Sequence, residues 1–171
     1  PVSLAEMQEA RLLRRLSSKT IITTNQLLQV LDALPRDYGV LEIDGRRMHH
    51  YRTRYFDTPD LTCYLQHHNG WRSRYKVRSR TYLDTDMTYL EVKRKEPCGV
   101  TTKSRMPAPS VTTDLGCREC DFVSAHCPLP TDDLVPTVWN TFRRITLVGI
   151  DVPLAGARLV LTTEELVVPG I

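Results

Sequence analysis

The sequence predicts an α+β fold in which antiparallel strands are accompanied by peripheral helices. Two stretches whose side chains alternate with period 2, Trp71 to Arg80 and Thr88 to Lys95, predict neighbouring strands. The residues between them, Leu83 to Asp86, are typical of a short turn, which favours antiparallel pairing. Stretches with helical period near the N-terminus predict the helices.

Capping boxes at Ser3 and Thr23 begin two predicted helices, because each hydroxyl residue is followed three positions later by Glu or Gln. The first helix is expected to end near Leu16 and the second at Pro35, whose ring cannot continue a helix. The second helix is expected to turn its apolar side chains toward a core: Leu27, Leu28, Val30, Leu31 and Leu34.

A hairpin is predicted between Val40–Ile43 and Met48–Phe56, because Asp44-Gly45 between them is the strongest short turn signal. A third helix is predicted to begin at Thr58-Pro59, with Pro at the first helical position, and to end at Asn69-Gly70.

The later part of the chain changes character. Met106 to Leu134 contains four of the Pro residues and no clean period, so we expect a long outer connection with a short helix. Val135–Leu147 and Arg158–Glu164 return to strand patterns. We expect residues 1–171 to form a single domain.

The alternation in Trp71 to Arg80 concentrates positive charge on one side of a strand. Five cations then point the same way: Arg72, Arg74, Lys76, Arg78 and Arg80. The next two strands add Glu91, Lys93 and Lys95, and then Thr101, Lys103 and Arg105. Cations in register repel one another and are hard to bury, so this face is either solvated or built around an anion. We favour the anion, because a solvated face ordinarily mixes charges of both signs.

Composition limits the partners. The 171 residues carry a formal net charge of only +3, so the basic strand is a local concentration of charge, which disfavours a nonspecific nucleic-acid binder. The sequence shows no apolar run long enough for a transmembrane helix and no signal-peptide pattern. Five scattered Cys residues indicate reduced thiols, and we expect a cytoplasmic location.

Zinc binding is a weak alternative. Cys117-x-x-Cys120, with His126 and Cys127 nearby, has ligand types that suit zinc. One CxxC without a partner pair at the usual spacing is a poor signal, so we do not favour this site.

Other polar residues have simpler interpretations. Asp57 and Asp60 are interpreted as charges at a helix N-terminus rather than catalytic acids. His67-His68 ends a predicted helix beside the basic strand, where it either caps the helix or contacts phosphate. The sequence contains no Walker A motif, no GxGxxG and no nucleophile elbow.

The run YRTRYFDTPDLTCYLQHHNGWRSRYKVRSRTY, from Tyr51 to Tyr82, followed by YLEVKRK and TTKSR, resembles the VTC domain. This is the polyphosphate-polymerase domain of the vacuolar transporter chaperone and of bacterial relatives, within the CYTH-like or triphosphate tunnel metalloenzyme superfamily. The combination of YFDT, HxxG, KxRxR, ExK and TxK carries the resemblance, which covers roughly Lys19 to Glu164. Thr162 departs from it, standing where the family pattern has Asp.

The resemblance implies a tunnel barrel of antiparallel strands, complete or incomplete, lined by Lys and Arg. It implies that ATP or another triphosphate gives its terminal phosphate to a polyphosphate chain, assisted by Mn²⁺ or Mg²⁺. Catalytic roles are implied for Arg78, Arg80, Lys93 and Arg144. Phosphate binding is expected for Lys19, His67, Arg74, Lys76 and Lys103. Glu91 is expected to be the metal ligand.

Two alternatives stay open, a triphosphatase-type hydrolase of the same fold and a noncatalytic module that binds polyphosphate or inositol phosphates. Tyr89-x-Glu91-x-Lys93 replaces the ExExK of the hydrolase branch. RNA binding is disfavoured because exposed aromatic stacking platforms are not evident. The family pattern continues beyond Ile171, so we expect a domain truncated on its C-terminal side, whose activity alone is an open question. The oligomeric state is open as well.

Overall fold

The computed structural model describes residues 1–9, 20–34, 38–109, 114–149 and 158–167. The helices are α1 (Leu4–Glu9), α2 (Thr24–Ala33), α3 (Thr62–His68) and α4 (Cys117–Ser124), with a 3-10 turn at Thr131–Asp133. The strands are β1 (Tyr38–Val40), β2 (His49–Asp57), β3 (Arg74–Tyr82), β4 (Met87–Lys95), β5 (Thr101–Ala108), β6 (Val135–Gly149) and β7 (Arg158–Val167). The predicted α+β class is confirmed.

The strands form a sheet in the order β1-β6-β2-β3-β4-β5, and β7 pairs with β6. The pairs β2–β3, β3–β4, β4–β5 and β1–β6 are all antiparallel. Short turns join β3 to β4 and β4 to β5, which places these strands side by side. The predicted antiparallel arrangement is confirmed.

The chain divides into two compact units. The first contains Pro1–Met48 and Arg144–Thr162, and the second contains His49–Arg143 and Thr163–Ile171. Strands β2 to β5 and helices α3 and α4 belong to the second unit. The expectation of one domain over residues 1–171 stays a prediction.

One face of β2, β3 and β4 carries the core of the second unit. The register places Phe56 opposite Val77 and Val77 opposite Val92, so these side chains form one apolar row. Val123 of α4 and Leu134 pack into the same cluster and cover this face. Burying a side chain of this size contributes roughly 1.5–3 kcal/mol. Because strand side chains alternate, this core leaves the opposite face of the same strands for polar residues.

The predicted turn at Asp44-Gly45 is confirmed, but the hairpin beyond it is wrong. Ile43 and Arg46 exchange backbone hydrogen bonds of 3.0 and 2.9 Å. Asp44 and Gly45 have φ values of 50° and 73°, as a tight hairpin turn requires. β1 then pairs with β6 instead of β2, because a turn determines only the residues next to it and distant pairing decides the rest.

Both predicted capping boxes are present. The backbone N–H of Ser3 donates to the Glu6 carboxylate at 2.7 Å, and that of Thr23 donates to the Gln26 side chain at 2.8 Å. The predicted end of the first helix lies outside the described residues. The expected core-facing side of α2 is wrong, since α2 has no buried residue and Leu28 is 56% exposed. Amphipathic spacing defines an apolar face but does not supply an element to cover it.

Helix α3 begins at Thr62 and not at the predicted Thr58-Pro59. The preceding residues form a turn closed by the Leu61 N–H, which donates to the Thr58 carbonyl at 2.8 Å. Pro59 suits this turn as well as a helix start, since its fixed φ is compatible with both. The predicted end at Asn69-Gly70 is confirmed, with Gly70 in the left-handed region at φ 69°.

The Asp57 carboxylate holds the start of α3. It accepts backbone hydrogen bonds from Thr58 at 2.9 Å and from Cys63 and Tyr64 at 2.8 Å each. Asp57 is 4% exposed, so these donors replace its lost water contacts. Its interpretation as a helix N-terminal charge is confirmed.

The segment between β5 and β6 contains α4 and the 3-10 turn, in agreement with the predicted connection and short helix. Among the described residues, no three His, Cys, Asp or Glu side chains converge on a possible metal position, the Cys117 to Cys127 segment included. All five Cys are free thiols, and burial raises the pKa of Cys127. No helix in the described part of the chain is long and apolar enough to cross a membrane.

We expect Asp57→Ala to lower the free energy of unfolding by about 2 kcal/mol, because two backbone donors in the first turn of α3 and one in the preceding turn lose their acceptor. Urea unfolding at neutral pH measures this change. Asp60→Ala is the matched control, because Asp60 is exposed and accepts hydrogen bonds from the hydroxyls of Thr58 and Thr62 but none from the α3 backbone N–H groups that Asp57 holds. Equal destabilisation by the two substitutions would contradict the capping role.

Candidate functional site

Alternate residues of β3, β4 and β5 present one strongly positive surface, which we call the basic face. β3 contributes Arg74, Lys76, Arg78 and Arg80, β4 contributes Glu91, Lys93 and Lys95, and β5 contributes Thr101, Lys103 and Arg105. The register aligns them in rows, two of which are Arg78–Glu91–Arg105 and Lys76–Lys93–Lys103. The prediction that three adjacent strands turn cations the same way is confirmed. Arg72 is the exception, because it precedes β3 and is exposed.

Glu91 is the carboxylate of the basic face and is only 1% exposed. Its Oε2 lies 2.7 Å from both Nε and Nη2 of Arg78. Its Oε1 lies 2.6 Å from Nζ of Lys103. The Arg78 side chain is 18% exposed and that of Lys103 is 42% exposed, so the two partners differ in their access to water. A carboxylate this buried needs such compensation, and both of its oxygens receive it from cations of neighbouring strands.

The ionisation of these groups is coupled. Burial opposes the charged form of Arg78, but Glu91 and the hydroxyl of Tyr55 outweigh burial and raise the pKa of Arg78. Burial likewise opposes the charged form of Glu91, yet Arg78 and Lys103 outweigh it and hold the pKa of Glu91 below its ordinary value. Both groups are therefore charged at neutral pH.

Arg80 is compensated in a different way. It is 8% exposed, and its Nε donates to Thr53 Oγ1 at 3.3 Å. Its guanidinium lies 5.7 Å from the ring centre of Tyr51 and 5.3 Å from that of Phe142, and these two rings stack at 4.8 Å. Burial, followed by the charge of Arg78, lowers the pKa of Arg80. Sequence reasoning missed these ring contacts, although Tyr51 and Thr53 share a face in the β2 alternation.

The other end of the basic face carries cations around a small cavity of about 40 Å³. The cavity is lined by His67, Arg74, Lys76, Lys93, Lys95 and Thr101. His67 comes from the last turn of α3, so the structure brings it to the basic strand as the sequence suggested. Nη1 of Arg74 donates to the carbonyl of Trp71 at 2.7 Å, which orients this guanidinium.

Most of the predicted site residues therefore meet on or beside one face. The two others are placed differently: Arg144 is a half-buried residue of β6 in the first compact unit, and Lys19 lies outside the described residues. Tyr55 and Arg105 belong to the site region but were not assigned a role from the sequence. The signal for Arg105 was available, since it follows Lys103 at the strand period of two.

The described residues do not fit a resident Mn²⁺ or Mg²⁺ ion. Both oxygens of Glu91 are already within 2.7 Å of protein cations, and the preceding position on the same face is Tyr89, which offers no carboxylate. No group of three metal-ligating side chains converges in the ranges the structure describes. These ions bind through several oxygen ligands, which this face does not supply by itself.

Glu91→Gln tests the ion pairs of this carboxylate. We expect a loss of about 2 kcal/mol in the free energy of unfolding at neutral pH. This is less than for breaking a fully buried ion pair, because Lys103 is well solvated. Because the folded pKa of Glu91 is depressed, its stabilisation is present above the unfolded pKa and is lost as pH falls through the folded value. The difference from wild type should therefore shrink toward about pH 3.

Urea unfolding at both pH values measures this difference. Glu96→Gln is the matched control, because Glu96 makes only a 3.8 Å contact with the half-exposed Arg94. If the free energies of unfolding of wild type and Glu91→Gln differ by the same amount at both pH values, the ion pairs are not the source of the difference.

The VTC domain family matches residues 14–114, which is more than half of the 171-residue chain and contains all of β2 to β5. No curated protein matches the chain in sequence. The resemblance derived from the motifs is confirmed. The chain therefore belongs to the VTC domain family, and its function is related to polyphosphate.

Proposed function

We propose that this chain is a phosphotransferase of the polyphosphate-polymerase type, which moves the terminal phosphate of ATP onto a polyphosphate chain lying along the basic face. One observation carries the proposal: cations of three adjacent strands converge where Arg78 and Arg80 are withdrawn from water. A solvated face has no need to bury guanidinium groups, whereas a site for a polyanion gains from partial desolvation.

The shape and composition of the basic face suit a linear polyanion. At about 3.4 Å per residue, the cations from Arg74 to Arg80 extend roughly 20 Å along β3. Arg grips two phosphate oxygens in a planar fork, whereas Lys supplies a point charge with little directional preference. The arginines can therefore fix the register of a bound chain, while Lys76, Lys93 and Lys103 allow it to slide.

Phosphoryl transfer needs little covalent chemistry from a protein, since positioning and charge neutralisation supply most of the acceleration. Arg78, Arg80 and Lys93 are proposed to neutralise the charge that develops on the transferred group. Phosphate contacts are proposed for the remaining cations of the face and its margin: His67, Arg74, Lys76 and Lys103. The resemblance alone supports the corresponding roles of Arg144 and Lys19. A divalent ion is proposed to enter with the triphosphate, held mainly by phosphate oxygens.

Arg80→Gln should weaken tripolyphosphate binding by at least about tenfold, because a partly desolvated charge is lost from the site. Arg52→Gln is the matched control, since Arg52 lies on the opposite face of β2 from Thr53 and is exposed. It removes the same charge and should leave the affinity within about twofold. Calorimetry at physiological salt measures both, and equal losses would reduce the site to a general attraction for anions. Displacement of tripolyphosphate by single-stranded RNA of equal charge would also indicate only a general attraction for anions.

Transfer itself is tested with ATP labelled in its terminal phosphate, together with Mn²⁺ and a short polyphosphate primer. The proposal predicts that label enters polyphosphate. Label released only as inorganic phosphate would identify a triphosphatase-type hydrolase. Tight binding of both ligands without either product would identify a noncatalytic binding module.

A further inference from the structure

The two ends of the basic face differ in chemistry. Around the small cavity near α3 the lining consists mainly of Lys and Arg, joined by His67 and Thr101. The end near the β3–β4 turn is aromatic: Tyr82 meets Tyr51 edge-on at 5.1 Å and Tyr89 edge-on at 5.9 Å. We call this the aromatic end. Phosphate groups do not stack on aromatic rings. This asymmetry therefore favours a ligand with one aromatic part and one phosphate part.

The contact between Arg105 and Tyr89 is the accessible feature of the aromatic end. The Arg105 guanidinium lies 4.8 Å from the ring centre of Tyr89. The register explains this, because Arg105 lies opposite Glu91 and is therefore the diagonal neighbour of Tyr89. Arg105 is exposed and makes no ion pair with any residue that the structure describes, and Tyr89 is partly exposed. Arg80, by contrast, is buried, with the rings of Tyr51 and Phe142 near its guanidinium.

We propose that Arg105 and Tyr89 form a base-stacking subsite, which holds the nucleobase of a nucleoside triphosphate whose phosphates lie on the basic face. Planar guanidinium and phenol groups stack on every kind of base, and such stacking is tolerant of base identity. This inference rests on the proposed function, because it presumes that the face accepts a triphosphate.

The spacing of side chains along β4 suits this arrangement. One two-residue step, roughly 7 Å, separates Tyr89 from Glu91, and a second step leads to Lys93. A base stacked at Tyr89 therefore directs its phosphates past Arg78 toward Lys93 and Lys103, which lie together in the next row. The cationic end is then left for the polyphosphate chain.

Arg105→Lys is the sharpest test, because it keeps the charge and removes the planar stacking group. We expect ATP affinity to fall about tenfold while tripolyphosphate affinity stays within about twofold. Tyr89→Leu should give the same split, since it keeps apolar volume and removes the ring. Calorimetry on the full chain with ATP and with tripolyphosphate measures both affinities.

Arg94→Lys is the matched control, because Arg94 lies 5.9 Å from the Tyr75 ring on the opposite face of the same sheet. It should change neither affinity. Lys93→Gln should weaken both ligands, as expected of a phosphate contact. The subsite is overturned if Arg105→Lys and Tyr89→Leu weaken ATP and tripolyphosphate equally, or weaken neither. If the wild type binds neither ligand, the proposed function fails together with the subsite.

Discussion

The ion pairs of Glu91 are the constraint on which the basic face depends. Withdrawing cations on adjacent strands from water is costly unless other groups compensate them, and burying a carboxylate is costly unless cations compensate it. Glu91 meets both conditions at once, because its two oxygens engage Arg78 and Lys103 on the strands at either side. Arg80, one row away, has no carboxylate and is accommodated by a hydroxyl and two aromatic rings. The basic face is thus a set of individually compensated charges and not a continuous repulsive surface.

The same register that builds the site also builds the core. Val77 lies between Arg78 and Lys76 in β3, so the apolar row Phe56–Val77–Val92 and the charged row differ by one position. A slip of one residue would place cations in the core and apolar side chains on the basic face, at a cost of several buried groups. Packing by α4 therefore stabilises the alignment of Glu91 with Arg78, although α4 contributes no residue to the basic face. The core and the basic face are coupled through the pleat of the strands.

Local periodicity made part of this predictable. Alternation within a strand is a property of the strand itself, so the shared face of its cations followed from the sequence. The partner of Arg78 did not, because it depends on the register between β3 and β4, and the contact of Lys103 needs a third strand. Counting the like charges on the basic face therefore overestimates the electrostatic repulsion at Arg78, because the count leaves out its ion pair with Glu91. The hairpin at Asp44-Gly45 and the helix start at Pro59 failed for a related reason, since both signals are local and each is compatible with more than one continuation.

The two partners of Glu91 are not equivalent in burial or in number of contacts. Arg78 holds one oxygen with two nitrogens, is mostly buried, and gains a further contact from Tyr55, so releasing it would leave a guanidinium without compensation. Lys103 makes one contact, is 42% exposed, and can exchange a carboxylate for a phosphate while remaining hydrated. Under the proposed function, a phosphate would therefore displace Glu91 from Lys103 at a much lower free-energy cost than from Arg78. On this reasoning Arg78 belongs to the fixed framework of the face and Lys103 to its exchangeable part, and one carboxylate links the two.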